Sequence, residues 1–431
     1  MRVTIYRGTH EIGGTFLELK TDNTRILLDA GYPLFLDGLP IEKEVAEYPV
    51  EKLLDLKVIP RVDGLYSWDD PGFDAVVISH AHIDHYGLVK YIHPSIPIYM
   101  SPGSKKLIEV SQMFGIVDQY NINFVEFEMY KPFEIGDISI KPYLMDHSAF
   151  DAAAFEIKAQ GKTVIYSGDF RGHGRKSVCL DTFINNVAKS ADVLFIEGTM
   201  FGRQDEEILT EDGLLKKVMD VSKGVAGPVL FQSSSQNIDR LVSFYKASRK
   251  LGKLFIIDVY TANVLNELRK LGKKLPYPSG RYGNIRVYFP YHLTTKMFDR
   301  GYGGYMSQFR DYKITWEEMK EEQKNILMAV RPSIRGALPK CGFRDGMFIY
   351  SLWQGYRDSK YQQTFEEKLK EYGFSMMHIH TSGHASVKDI SKTIRGLRPK
   401  KIIPVHSMYP EQFENMEKCV EIMDDGVSFE I

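Results

Sequence analysis

The stretch VVISHAHIDHYG, residues 76–87, decides how this chain is read: an apolar run ends in His80, His82, Asp84 and His85. Side chains two apart in an extended segment face the same way, so His80 and His82 can ligate one ion. The chain then turns. HYGLVKYI reads as helical, which places Asp84 and His85 at the turn, able to face a second ion beside the first. Neutral imidazole and carboxylate are the ligands zinc takes when no thiolate is supplied. A lone histidine would be surface or core decoration; HxHxDH closing a strand points to a metal site.

Two ions need more ligands, and other strand ends supply them. TRILLDAG (24–31), FDAVVISH (73–80), PIYM (97–100), ISIKPYLMDH (138–147), KTVIYSGD (162–169) and ADVLFIEG (191–198) have the apolar, β-branched character of strands, and several end on a polar residue. His147, Asp169 and His406 (in KKIIPVHS, 400–407) complete the candidate ligands. An aspartate between two ions can bridge them, and Asp29 in RILLDAG is placed to hold a ligating imidazole in one tautomer. Two ions about 4 Å apart would bind a hydroxide near neutral pH and clamp substrate oxygens.

The rest of the chain sets bounds. With 431 residues it is long enough for one large or two medium domains. Three well-separated cysteines, Cys179, Cys341 and Cys419, suit reduced thiols in a cytosol and argue against a cysteine-based zinc site. No long apolar run suggests a membrane span, and MRVTIYRGTHEIGG reads as a strand and turn rather than a leader, so the expected location is cytoplasmic. SPGSKKLIEVSQMFGIV (101–117) carries a cap-like Ser and an early Pro, and reads as helix. From Phe201 strands and helices alternate, which suggests a parallel-sheet unit. The simplest organisation is one α/β domain, residues 1–200 and 366–431, interrupted by another over 201–365.

This arrangement resembles the metallo-β-lactamase superfamily, an αββα four-layer sandwich with metals at one edge of its sheets. The resemblance covers residues 1 to about 200 and resumes near 375. Matched residue by residue, it implies His80, His82 and His147 on the first zinc, Asp84, His85 and His406 on the second, and Asp169 bridging. Asp84 also counts among the residues implied to be needed for catalysis. That superfamily acts on many substrates, so fold alone does not fix the reaction.

Glu197 at the end of ADVLFIEG, His380 and His384 in HTSGHAS, and His406 in PVHS, with the interrupting segment between them, look like the motifs of β-CASP nucleases, most similar to the RNase J end of that group. The resemblance implies that His384 stands near the leaving oxygen, oriented by Glu197, and a His–carboxylate pair can protonate a departing alkoxide. It further implies that His380 and Ser382 contact substrate phosphate, and that the run Ser233, Ser234, Ser235 binds a nucleotide phosphate, with Ser233 and Ser235 carried as the contacts. A serine run after a strand is also an ordinary solvated loop. The His of PVHS tilts the reading toward RNA, because RNA-acting members carry it there.

Departures from the pattern are a long excursion between Gly31 and Asp70, the wording SGDFRGHGRK around Asp169, and a chain that stops soon after PVHS where RNase J proteins carry a further domain. Between Arg240 and Arg300 thirteen Lys or Arg face three Asp or Glu, with six tyrosines interleaved, which suggests a groove for single-stranded RNA. A net charge of −1 gives a polyanionic partner no further support. The expectation is a hydrolase with two Zn²⁺, Mn²⁺ being able to serve the same ligands, that cleaves RNA by attack of metal-bound hydroxide. No membrane partner is expected. The oligomeric state stays open, with a homodimer as the arrangement common among relatives. The rivals are a hydrolase of a small ester, lactone or phosphodiester, and an RNA-binding subunit without catalysis.

Overall fold

The computed structural model describes residues 1–36, 38–120, 123–203, 208–272 and 274–431. A seven-stranded sheet has the order Val427–Glu430, Arg2–Arg7, Phe16–Lys20, Arg25–Leu28, Ala75–Val77, Ile98–Met100, Phe124–Glu126. A six-stranded sheet faces it, in the order Ile402–Val405, Val193–Glu197, Lys162–Tyr166, Ala153–Ala159, Ile138–Leu144, Phe133–Ile135.

Side-chain alternation explains the layering. Ile26, Leu28, Ala75 and Val77 of the first sheet meet Ile140, Phe155, Val164 and Phe195 of the second in one buried core. The intervening residues point outward. Val76 joins Leu107, Ile108 and Val110 of helix Pro102–Met113, while Ile165 and Leu194 meet Phe183 of helix Val178–Asn186 and Ile390 of helix Val387–Leu397. The result is the αββα sandwich expected.

The strand ends are open at one edge because the chain leaves each strand there in a loop rather than a hairpin. Strands Arg25–Leu28, Ala75–Val77 and Ile98–Met100 are parallel neighbours, as are Lys162–Tyr166, Val193–Glu197 and Ile402–Val405. Their carboxyl ends therefore lie side by side, which is where parallel arrangements place ligands.

The interrupting segment forms a third sheet, wholly parallel, in the order Ile285–Tyr288, Leu254–Asp258, Ile326–Ala329, Val229–Gln232, Met347–Tyr350, Ser375–His378. This moves one boundary. Ser375–His378 pairs with Met347–Tyr350, and Phe365 and Leu369 of helix Lys360–Glu371 pack on the same sheet's core. The chain thus returns to the first domain after His378, not at residue 366. The alternating SMMH could equally pair with either sheet, and only the partner strand decides.

Two further expectations change. HYGLVKYI is not one helix but a turn of helix, Ile83–Tyr86, and a 3-10 turn, Val89–Tyr91. The Gly31–Asp70 excursion is a packed layer, since Leu53, Val58, Ile59, Val62, Leu65 and Tyr66 are buried in the core that covers the first sheet. No described helix is long and apolar enough to cross a membrane, and none of Cys179, Cys341 and Cys419 forms a disulfide among the described residues.

Candidate metal centre and substrate cleft

All seven predicted ligands converge on the open edge. His80, His82 and His147 bring ligand atoms within 4.8 Å of one another, and so do Asp84, His85 and His406. Asp169 lies between. Its Oδ2 is 3.2 Å from His85 Nε2, 3.8 Å from both His80 Nε2 and His406 Nε2, and 3.9 Å from His147 Nε2.

The backbone is shaped to allow this. Asp29 and His406 sit at φ of 58° and 53°, the left-handed region that non-glycine residues enter at a cost of about 1–2 kcal/mol. Asp29 is held there by accepting from Ser79 N at 2.7 Å, Ser79 Oγ at 2.8 Å and Tyr166 Oη at 2.6 Å. Gly31 has no room for a side chain, because a Cβ would lie 1.9 Å from the carbonyl oxygen of Asp84.

Outer partners fix which imidazole nitrogens carry lone pairs toward the centre. His147 Nδ1 donates to Gly383 O at 2.6 Å, so its Nε2 is left as the acceptor. His85 sits between Asp29 Oδ2, 2.8 Å from its Nδ1, and Asp169; burial lowers its pKa, but these carboxylates outweigh that and hold it above the ordinary imidazole value. Ser79 Oγ spends its proton on Asp29, so at 3.0 Å it must accept from His80 Nδ1, which again frees Nε2. Thr199 Oγ1 lies 2.8 Å from His406 Nδ1. Burial pushes His80 and His147 well below the ordinary imidazole value and His82 to about 4, so all three are neutral near pH 7.

Whether cations fit can be tested on the atoms themselves. His80 Nε2, His85 Nε2 and both carboxylate oxygens of Asp169 are buried without a hydrogen-bond partner. Buried polar groups are nearly always paired, and each orphan costs about 1–3 kcal/mol. His82 Nδ1 and His147 Nε2 also face each other at 3.1 Å. Lone pairs and a carboxylate aimed at one small volume form a donor set that divalent cations satisfy.

Beside the centre, His384 Nδ1 is 3.2 Å from Glu197 Oε2 and 3.4 Å from Asp169 Oδ2. Burial lowers its pKa, but the two carboxylates outweigh this and hold it above the ordinary value. Glu197 is fixed in turn by Phe170 N at 2.9 Å and Ala385 N at 3.3 Å. Gly383 permits the approach, because a Cβ there would stand 2.4 Å from Ser148 Oγ. Helix Val387–Leu397 starts directly afterwards in a capping box between Ser386 and Asp389.

The substrate-side residues are placed less uniformly. Ser382 Oγ accepts from His384 N at 3.0 Å, and His380 Nδ1 is 3.5 Å from Arg240 Nη1. Burial and then Arg240 push His380 down to about 3, which keeps it neutral. Ser233 Oγ is buried and unpaired, whereas Ser235 Oγ is engaged by Thr261 Oγ1 and Arg331 Nη2, each at 2.7 Å. Ser234 Oγ accepts from Gln236 N.

The basic window of residues 240–300 is not the continuous groove expected. Arg240, Tyr245, Lys253 and Tyr260 are buried. Lys296 and Arg300 donate to the carbonyls of Gly115 and Gln112 in the first domain, and Lys273 lies outside the described residues. Charge counted along a sequence does not reveal which cations are used up internally.

Sequence reasoning missed Thr199, Tyr166 and Ser79, which hold ligands or their partners. His173 is a further residue of the cleft, its Nε2 donating to Ser382 O at 3.0 Å. Ser79 and Tyr166 could have been found, since Ser79 directly precedes His80 and Tyr166 ends the strand that leads to Asp169.

The sandwich and its edge of histidines and aspartates define a metallo-β-lactamase-type protein with an inserted α/β domain. Comparison with known proteins agrees. The family model of the β-lactamase superfamily domain matches residues 24–225, and that of the Zn-dependent metallo-hydrolase RNA specificity domain matches residues 375–415. Ribonuclease J of Helicobacter pylori is 23% identical, aligned over 100% of this chain and 60% of its own length. Ribonuclease J of Pyrococcus abyssi is 22% identical over 93% of this chain and 88% of its own. A crystal structure of a protein of unknown function from Enterococcus faecalis superposes with a TM-score of 0.81 over 99% of both chains at 20% identity. The matched models and relatives make the chain similar to metallo-β-lactamase-type hydrolases, and among them to ribonuclease J. It spans about three fifths of the length of the Helicobacter pylori relative.

Proposed function

We propose that this protein is a metal-dependent phosphodiesterase that cleaves RNA in the cleft between its two domains. One observation carries the reading: Asp169 is a fully buried carboxylate with neither oxygen hydrogen-bonded, ringed by five imidazoles. His80, His82 and His147 would hold one cation, Asp84, His85 and His406 the other, with Asp169 on both. Zinc suits this His/Asp set, and manganese can occupy it. When bound, such a pair supplies an activated water and neutralises charge building on phosphoryl oxygens.

The chain's own groups account for the rest of the reaction. Despite burial, Glu197 and Asp169 at Nδ1 favour the protonated form of His384, whose Nε2–H would then serve the leaving oxygen from a ring 21% exposed. His380 and Ser382 would orient the phosphate, with neutral His380 acting as a hydrogen-bonding group rather than a charge. Ser235 holds Arg331 beside the serine run, where its guanidinium would meet a phosphate, whereas Ser233 Oγ, being buried, would reach one only if the loop shifted. RNA is favoured by the RNA specificity domain match, which spans His380 to His406, and by relatives named as ribonucleases.

A second reading, a small phosphodiester as substrate, is favoured by the burial of much of the basic window. The test offers labelled RNA and matching single-stranded DNA, each with a 5′ phosphate or hydroxyl, to zinc- or manganese-loaded protein, with Asp84→Ala as control. Cleavage of RNA that the control lacks supports the proposal, and mononucleotide release favoured by the 5′ phosphate makes it a 5′ exonuclease. Inertness toward both polymers with metals bound sinks it. Weak dependence of KM on salt would support the small substrate, because phosphate neutralisation makes polymer binding salt-dependent.

A further inference from the structure

Two arginines at the domain junction are fully buried: Arg171, in the SGDFRGHGRK segment that departs from the RNase J wording, and Arg240, at the start of helix Ile238–Lys250 of the inserted domain. Arg171 joins both domains. Its Nε donates to Asp146 Oδ1 at 3.2 Å in the first domain, and its Nη2 to Asp239 Oδ2 at 2.8 Å in the second. Its Nη1 donates to the carbonyl of Ser382 at 3.1 Å.

Arg240 donates through Nη2 to the preceding carbonyl, Thr381 O, at 3.1 Å, and through Nη1 to Ser351 O at 2.9 Å. Glu211 balances it at 3.2 Å and lies 3.7 Å from Arg171 Nη1. Consecutive carbonyls of the strand-to-helix loop are thus gripped by two guanidiniums with opposite loyalties, one anchored beside His147 and one in the inserted domain. His384, the leaving-group histidine, is the second residue beyond.

We infer that Arg171 and Arg240 are positioning residues: they clamp the Thr381–Ser382 backbone so that His384 meets Glu197 only when the inserted domain is seated on the first. This rests on the ribonuclease reading for its effect on catalysis, but not for the clamp itself. Lysine at either position keeps the charge and loses the fork, since an ammonium cannot donate in three fixed planar directions. The clamp acts on proton donation to the leaving oxygen, which matters for a ribose alkoxide and hardly at all for a p-nitrophenolate.

The test compares Arg171→Lys and Arg240→Lys with wild type, all metal-loaded, on RNA and on bis-p-nitrophenyl phosphate. The expected loss of kcat on RNA exceeds the loss on the nitrophenyl ester at least about tenfold, within the range of general acid contributions, with metal content unchanged. Independently of activity, hydrogen exchange of the amides of residues 380–385 should quicken in both variants, while that of strand Ala153–Ala159 stays as it was. Equal losses on both substrates, or unaltered exchange over 380–385, would overturn the clamp. If wild type leaves RNA intact, the ribonuclease reading fails and the exchange measurement alone decides the clamp. Should Arg171→Lys not fold, Asp239→Asn weakens the inserted domain's shorter hold on Arg171, Glu211 remaining at 3.7 Å, and is read the same way.

Discussion

Two buried polar clusters lie on either side of Gly383, and they are finished differently. At the strand ends, His80 Nε2, His85 Nε2 and both oxygens of Asp169 have no hydrogen-bond partner. At the domain junction, Arg171, Arg240, Glu211 and Asp239 are buried just as deeply, yet each finds partners within the chain. Burial and charge alone therefore do not mark a ligand site. The mark is buried lone pairs left open toward one volume, because an unpaired buried group is disfavoured and persists where something else satisfies it.

The comparison can be broken most sharply at Asp169. Asp169→Asn should lower cleavage of RNA by on the order of 10³-fold, since the cation pair's several kcal/mol of charge stabilisation is lost. Steady-state kinetics with metal content measured alongside checks this. On the closed side, Arg240→Met should leave activity measurable but destabilise the fold by about 3 kcal/mol, because buried Glu211 loses its nearer guanidinium and keeps only Arg171 at 3.7 Å. Denaturant titration reads that difference.

The closed cluster should also respond to acid. Burial raises the Glu211 carboxyl, but Arg240 and Arg171 outweigh it and bring it down to about 2, from an ordinary 4.5. A value depressed in the folded state means the contribution is complete above about pH 4.5 and disappears as pH falls toward 2. On the order of 3 kcal/mol is then lost across that window, and Glu211→Gln should flatten stability against pH there. A variant as acid-sensitive as wild type would assign the effect elsewhere.

Asp29 tests the second tier of the open cluster. Asp29→Asn tolerates the left-handed backbone but no longer holds the His85 tautomer as a carboxylate does. Metal affinity should fall about 10–100-fold with the fold intact, as competition with a chelator would report. Smallest of all, Thr199→Val removes one hydroxyl from His406 Nδ1 and should weaken metal binding only a few-fold, about 1 kcal/mol.

The convergence of the open cluster was legible in the sequence because each proposed ligand follows an apolar run directly: HAHIDH after FDAVVIS, His147 after ISIKPYLMD, Asp169 after KTVIYSG, His406 after KKIIPV. The closed cluster was not. Arg171 meets Asp239 and Ser382, 68 and 211 positions away, and no local pattern announces pairs at that separation. The same blindness turned Arg240 and Tyr260 into candidates for an RNA groove when both are interior. It also returned the chain to the first domain too early, since SMMH has the alternation of a strand but not the identity of its neighbour. Strand Ala153–Ala159 escaped notice for a related reason: alanine carries little strand preference, and its place between two antiparallel partners comes from them.

The account rests on the claim that the strand-end cluster is a cation site and the junction is not. Its most direct test is the metal content of dialysed protein after zinc loading, wild type beside Asp169→Asn, with circular dichroism on both. Two ions per chain are predicted in wild type, one on His80, His82 and His147 and one on Asp84, His85 and His406, and at most one in the variant at unchanged fold. A folded wild type that retains none, or a variant that retains as much, would contradict it.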